Sequence, residues 1–457
     1  MWVVVYTVQC FKVKNDITNC ILEIMYFSPT GLRVFSSLIS AVALLEICIR
    51  IYNYKIYFLP DSISFFLYNH QNNPPLTLHD GNFVSLFCIL FTQIAILIYT
   101  LYLLVIKRKH PRLLLFLSGA LYVSLNGLHI PALHGGDAVI YTSLIAASLF
   151  SPYTKLSYYT ATLSAASLYL SSALHKHLSI WVPDGTAVYY VLNNQVYATS
   201  FGKLLSHFPF ICTVLTYFTI IVLYFGWIGL LIPYKKYAVR KTSVILLAIL
   251  HFGLTLTMHI HLIGIIMLAF VSLFWVYKDQ TEGKDVPPVS SFLTIGQFFI
   301  IYLICAQLLY NFGFFRNEYT SQYSFLKIMN FHVGYFGYKV GYNFFSHNVR
   351  EEEWFNVYEP STMRDVLRGG ILDKQLKIPL SYGENVVNAR LHRILYTQTR
   401  TFDSTVRLAD YFCSYHSMAD IVIEKSWMTI LPPQHVFFSK QNHSEPIQKL
   451  LLRKKCN

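Results

Sequence analysis

The sequence predicts an all-α polytopic membrane protein of about nine transmembrane helices that ends in a small β-rich extracytoplasmic domain. Three observations carry that class. Of 457 residues, 54% are hydrophobic and only 13% are charged, about half the charged share of an ordinary soluble domain, so a water-soluble fold would lack polar surface. Apolar stretches of spanning or near-spanning length recur along the first two thirds of the chain. The last third is polar and mixed, with short alternating runs.

Taken in order, the apolar stretches run at 32–52, 82–106, 112–130, 137–151, 156–174, 208–233, 243–258, 260–276 and 292–313. The 137–151 stretch is short for a span, and 243–276 is too long for one helix and is divided at His259 and His261. Residues 1–24 show no signal-peptide pattern, because Lys12, Lys14 and Asp16 follow the apolar start and no small-residue cleavage site appears. The chain therefore divides into a cytoplasmic N-terminal segment (1–29), a transmembrane helical domain (30–315) and an extracytoplasmic C-terminal domain (316–457). In the last of these, "ADIVIEK" and "HVFFSK" read as short strands.

A net charge of +13 can signal nucleic acid, but here the basic residues fall in short clusters beside apolar runs. That is the pattern of membrane-orienting loops, and no nucleic-acid partner is expected. "KRKHPR" (107–112) and "KKYAVRK" (235–241) each hold four Lys or Arg, so both should be cytoplasmic. With nine spans and the N-terminus inside, the inner segments hold thirteen Lys and Arg, while the outer loops hold only Lys55, Lys176 and Lys203. Residues 53–81, 131–136, 175–207 and the tail from Arg316 then lie outside the cytoplasm, on a multi-pass cell-membrane protein. The eight cysteines include Cys48, Cys88, Cys212 and Cys305 inside apolar runs, with no CxxC, so disulfides are not expected to organise the fold.

Ionisable residues at membrane depth are costly and mark function by default. Glu46 and Arg50 stand i, i+4 in the first span and read as a structural ion pair. His129, His134, His175, His177, His207, His259 and His261 fall at outer helix ends, and His251 alone falls inside the bilayer. They either converge on one outward-facing cavity or are scattered interfacial histidines bonded to backbone and water. A metal site is not expected: in H175-x-H177 and H259-x-H261 the imidazoles of a helix would point apart, and no HExxH or cysteine set accompanies them. Phosphate loops, nucleophile elbows and kinase signatures are absent. Lys176, between two histidines at a helix end and followed by Trp181 and the Asp184-Gly185 turn, is different in kind. Desolvation there would lower its pKa and let it act as a neutral amine base, whereas a lysine that snorkels to the surface would stay charged. Spacing alone does not choose between these.

"LHIPALHGGDAVIYTSLIAASLFSP" (128–152) followed by "LHKHLSIWVPDGTAVYYVL" (174–192) resembles the paired signature of the HTTM family. That family is the membrane domain of vitamin K-dependent gamma-carboxylase and its bacterial relatives, including SdpB-like proteins of peptide-toxin maturation. "TGLRVFSSLISAVALLEICIRIY" (30–52) is similar to its first span and "LHFGLTLTMHIHLIGIIMLAFVSLFW" (250–275) to its histidine-bearing late helix. "NFFSHNVREEEWFNVYEP" (343–360) and "RLADYFCSYHS" (407–417) resemble the tail of bacterial members. The resemblance implies that Lys176, five positions before the tryptophan of a W-x-x-(D/E)-G turn, is the base that deprotonates a reduced quinone of vitamin K type. It implies His134 and His251 as further catalytic residues, and His175, His177, Trp181, Asp184 and Gly185 as the substrate-binding surround. This chain differs in lacking the large lumenal propeptide-binding region and in placing Asp184 where the carboxylase has glutamate. Three readings follow: a maturation or modification factor for a small exported peptide, a quinone-coupled carboxylase, and a non-catalytic module that binds membrane lipid or peptide.

Overall fold

The structure is a computed structural model that describes residues 27–52, 83–128, 135–152, 154–174, 176, 179–194, 198–231, 237–258, 262–275, 291–311, 324–335, 351–362, 364–365, 402–416, 419–429 and 447–456. Among these residues the chain is mostly helical, with one small sheet near the C-terminus. Each of the nine apolar stretches carries a helix: α1 (Pro29–Tyr52), α2 (Phe83–Leu101, prolonged by a π turn over Tyr102–Ile106), α3 (Arg112–Leu128), α4 (Gly135–Leu149) and α5 (Lys155–Leu174). Two seven-residue helices, α6 (Ala187–Asn193) and α7 (Ser200–Ser206), occupy what reads in the sequence as an outer loop. Then come α8 (Pro209–Phe225, continued by a 3-10 turn over Ile228–Leu231), α9 (Tyr237–Thr257), α10 (Ile263–Ser272), α11 (Ser291–Asn311) and α12 (Ser324–Tyr335).

Four of these segments are long and apolar enough to cross a membrane: Pro29–Ile51, Phe87–Ile106, Pro209–Leu231 and Ala238–Thr257. On α8 the outward stripe is Phe210, Val214, Tyr217, Ile221 and Phe225, all exposed, at the three-to-four-residue spacing of one helix face. α5 is the opposite case. It is rich in Ser, Thr and Tyr, yet Ser157, Tyr158, Thr160, Ala161, Thr162, Ala165, Tyr169, Ser172 and Ala173 are all buried. Its hydroxyls close on the preceding turn, Thr160 donating to the Leu156 carbonyl (2.7 Å), Thr162 to that of Tyr158 (2.9 Å) and Ser164 to that of Thr160 (2.8 Å). A helix surrounded by protein can carry such residues where a hydroxyl finds its acceptor on its own backbone, as these three do, or on a neighbouring element, as those of Tyr158 and Tyr169 do.

One end of the bundle is tied across several helices. Phe27, just before α1, packs its ring 5.8 Å from Phe150 after α4, 5.2 Å from Tyr158 on α5 and 5.9 Å from Phe274 after α10. Tyr158 donates to the Leu230 carbonyl (2.6 Å) and Gln297 of α11 to the Leu149 carbonyl (2.8 Å). Arg240, expected in a solvated basic loop, instead lies buried one turn into α9. It donates to the Phe274 carbonyl (3.1 Å) with its guanidinium 4.8 Å from the Tyr158 ring centre. The long helix beginning at Tyr237 therefore absorbs part of the segment that the basic cluster alone reads as loop.

Glu46 and Arg50 pair as their spacing predicts, Arg50 Nε to Glu46 Oε1 at 3.0 Å with side chains 2% and 0% exposed. Tyr122 of α3 supports the cation, its ring centre 5.3 Å away. The expected division of 243–276 is present, α9 ending at Thr257 and α10 starting at Ile263.

The C-terminal unit is a four-stranded antiparallel sheet in the order β2-β1-β3-β4, with β1 Glu351–Glu359, β2 Arg364–Asp365, β3 Asp420–Thr429 and β4 Ile447–Lys455. "ADIVIEK" is the start of β3, while "HVFFSK" lies outside the described residues. The unit is not purely β: α13 (Phe402–His416) packs against β3 and β4, bringing buried Leu408, Ala409 and Phe412 toward Ile421, Ile423 and Val357. Cys413 of α13 and Cys456 after β4 form a disulfide with Cα atoms 5.2 Å apart. Disulfides therefore do contribute here, against the sequence expectation, because folding places together two cysteines separated by 43 residues. Closing a loop of that size is worth up to ~4 kcal/mol on chain entropy. Cys413→Ala should lower the melting temperature of the tail and speed its proteolysis, and an unchanged proteolysis rate would show the bond to be dispensable.

Candidate functional site

The chain between α5 and α8 builds a compact cap. At Trp181-Val182-Pro183-Asp184-Gly185 the chain reverses, with the Asp184 amide donating to the Ser179 carbonyl (2.8 Å) and those of Thr186 and Ala187 to the Ile180 carbonyl (2.8 Å each). Gly185 sits at φ +65, and a Cβ there would come 2.9 Å from the Tyr217 ring. Both conformation and space demand glycine. The Tyr217 hydroxyl donates to the Pro183 carbonyl, and the Val188 amide donates to Thr216 Oγ1 (3.1 Å), so the turn and α6 are seated on α8. Thr199 caps α7 by accepting from the Gly202 amide (2.9 Å), and its own amide donates to the Thr257 carbonyl (3.0 Å) at the end of α9.

Lys176 lies directly beyond α5 and is only 7% exposed. Its ammonium nitrogen is 3.1 Å from the Ser172 carbonyl, 2.9 Å from Ser172 Oγ and 5.0 Å from the centre of the Trp181 ring. Two influences on the amine oppose each other. The carbonyl at the negative end of α5, the hydroxyl and the indole face favour the charged form. Burial disfavours it and prevails, pushing the amine from its ordinary range down to about 7. Lys176 therefore changes charge near neutrality rather than three units above it.

Below it on α5, Tyr169 shares a 2.7 Å hydrogen bond with Nε2 of His251 on α9, and both side chains are buried. Tyr224 of α8 donates to the Ala173 carbonyl (3.3 Å). Tyr169 and Ser172 on α5 and Lys176 just beyond its end follow one another at intervals of three and four residues, forming a polar seam that begins at His251 and ends under Trp181. In the cap itself, Tyr189 is buried with a hydroxyl that finds no partner among the described residues. Burial, with Tyr190 and Cys212 beside it, pushes that hydroxyl up to about 12.

Of the expected site residues, the structure brings Lys176 against Trp181 and sets Gly185 in the turn that follows. Asp184 is exposed, and His251 hydrogen-bonds Tyr169 of α5. His134, His175 and His177 lie outside the described residues, as do His129, His259 and His261; His207 is exposed at the end of α7. Among the described residues no group of three or more His, Cys, Asp or Glu is placed to hold a metal. The sequence reading missed Tyr169, Ser172 and Tyr224. The three-and-four spacing of 169, 172 and 176 at the end of α5 was the available signal, hidden because Ser and Tyr on a polar-looking helix do not stand out. No family model, curated protein or solved structure matches this chain.

Proposed function

We propose that this is an HTTM-type integral membrane protein, built on nine crossings, in which Lys176 works as a neutral amine base in an outward-facing site, in the maturation or modification of an exported peptide. The observation that carries the reading is the Lys176 amine, buried against Trp181 and Ser172 at a helix end. An amine that is about half neutral at pH 7 can take a proton from a hydroxyl or similar acid and return it later. A reduced quinone, as the resemblance implies, is the type of acid such a base would serve, and His134 and His251 would be the other proton-handling groups. Trp181, Asp184, Gly185, His175 and His177 would form the binding surround.

Orientation follows the same reading, with the N-terminus cytoplasmic and the tail outside. The Cys413–Cys456 disulfide supports it, since such bonds persist in oxidising compartments. A cytoplasm-only fluorescent reporter fused at Asn457 is expected to stay dark, and a bright fusion would reverse the assignment. For the quinone-coupled carboxylase alternative, purified protein given a reduced naphthoquinone and dioxygen is expected to consume both, one oxygen atom entering the naphthoquinone epoxide and the other leaving as water, and Lys176→Met to stop that turnover.

One observation favours the non-catalytic reading. The Lys176 ammonium accepts the role of a cap on the carbonyl end of α5, which is a structural use of a cation. If so, Lys176→Arg keeps the cellular phenotype intact, because a guanidinium caps equally well.

A further inference from the structure

The second region where charge and geometry combine is the tied end of the bundle, where the α2–α3 connection meets the first turn of α1. Arg33 of α1 donates through one terminal nitrogen to the Arg108 carbonyl (3.4 Å) and through the other to Thr30 Oγ1 (3.0 Å). Ser36, one turn on, is 3.0 Å from Nε2 of His110. The connection is itself ordered by its backbone: the Lys107 amide donates to the Tyr102 carbonyl (3.2 Å) and the Lys109 amide to the Leu103 carbonyl (2.9 Å). Arg108 takes the left-handed conformation at φ 52. Lys107, Arg108 and Lys109 are exposed, and the Lys107 ammonium stands 5.6 Å from the centre of the Tyr102 ring.

No acidic residue occurs in the sequence between Glu23 and Glu46 or between Asp80 and Asp137. Among the described residues, Arg33, Lys107, Arg108 and Lys109 form no ion pair with a carboxylate. On either side of this cluster the helices turn strongly apolar faces outward: Val105 (57% exposed) and Ile106 (66%) at the end of α2, Leu113 (68%) at the start of α3. Four cations on one ordered connection and the helix turn fastened to it through the Arg33–Arg108 carbonyl bond, flanked by exposed aliphatic side chains, match an amphiphile with an anionic head and apolar tails. General orientation by basic loops needs only that positive charge be present. It does not need Arg33, a residue of the α1 helix, fastened to the loop backbone.

We propose that Arg33, Lys107, Arg108 and Lys109 bind the phosphate headgroup of an anionic phospholipid in the adjoining leaflet, its acyl chains lying along the Val105, Ile106 and Leu113 faces. The site is independent of what Lys176 does, and requires only that α2 cross the membrane. The lipid would join α1 to the α2–α3 connection at the end of the bundle where Phe27, Tyr158 and Arg240 also meet.

Native mass spectrometry of the full chain in detergent, titrated with phosphatidylglycerol or phosphatidylcholine, tests this. The expected result is preferential retention of phosphatidylglycerol. Each juxtamembrane cation is worth about fivefold in affinity, so Lys107→Gln with Lys109→Gln should weaken retention about 25-fold. Arg33→Lys, which keeps the charge, should retain most binding, and Lys203→Gln, on α7, should not alter it. Excess glycerophosphate, which has the anion without the chains, should fail to displace the lipid. Equal retention of the two lipids, an unchanged affinity in the double variant, an equal loss in Lys203→Gln, or displacement by glycerophosphate would each overturn the assignment.

Discussion

Replacing Lys176 by arginine is expected to abolish function while leaving membrane insertion and abundance unchanged. The lysine amine is held near a pKa of about 7 by burial, so a large fraction is neutral at physiological pH, and neutrality is what a base requires. Arginine keeps the length and the positive charge but cannot be deprotonated in a protein. Positioned acid–base groups contribute about 100-fold to 10,000-fold, so turnover in Lys176→Arg should fall by at least ~100-fold, and Lys176→Met should fall equally. Activity of the wild type should rise with pH through about 7 and level off above it, following the neutral amine. Stability carries the same signature. The unfolded lysine holds its proton up to about 10.4, whereas the folded one releases it near 7, so the folded state gains on the unfolded state as pH rises between these values and the gain is complete above the higher one. Lys176→Met should remove that slope from the melting profile. Wild-type turnover in Lys176→Arg would end the base assignment and leave the helix cap as the role of this residue.

Glu46→Ala is expected to be the most destabilising single substitution in the first helix. Its carboxylate is 0% exposed and lies 3.0 Å from Arg50 Nε, which is 2% exposed. Removing it takes the carboxylate away from a buried guanidinium that the Tyr122 ring and hydroxyl also approach, the ring centre at 5.3 Å and the hydroxyl at 3.5 Å. Breaking one side of such a pair costs about 3–5 kcal/mol, because the surviving charge is no longer compensated. Thermal melting in detergent should show a loss of that order for Glu46→Ala. The paired change Glu46→Leu with Arg50→Met should restore most of it, since replacing both partners by apolar groups removes the unbalanced charge. Equal melting of Glu46→Ala and wild type would mean that the pair contributes nothing.

Much of the helical architecture could be read from the chain because long apolar runs and the helical repeat leave simple patterns in the sequence. Helices stand where the apolar stretches are, and the division of 243–276 falls where His259 and His261 interrupt the apolar run. The Glu46–Arg50 pair was also legible, since i, i+4 on one helix is enough to bring two side chains together. Helix starts were less so. Arg240 looks like a member of a basic loop by composition, yet α9 begins at Tyr237 and turns it inward onto Phe274 and Tyr158. Those partners are 34 and 82 residues away, and no local pattern announces them.

The sequence by itself determined where the apolar helices lie, that Lys176 stands at the end of one of them, and that Gly185 occupies a turn, because these depend on hydropathy and on residues near in the chain; it did not locate α6, α7 or α13. Only the tertiary structure decided what surrounds them. It buried the polar helix α5, joined Tyr169 to His251, seated Lys176 against Trp181 with α6 resting on α8 and the cap of α7 on the end of α9, and brought Cys413 to Cys456. The reason is physical: whether a serine, tyrosine or lysine faces water, lipid or protein depends on which distant helix packs against it, and desolvation, which gives Lys176 its unusual amine, is a property of that packing rather than of the residue.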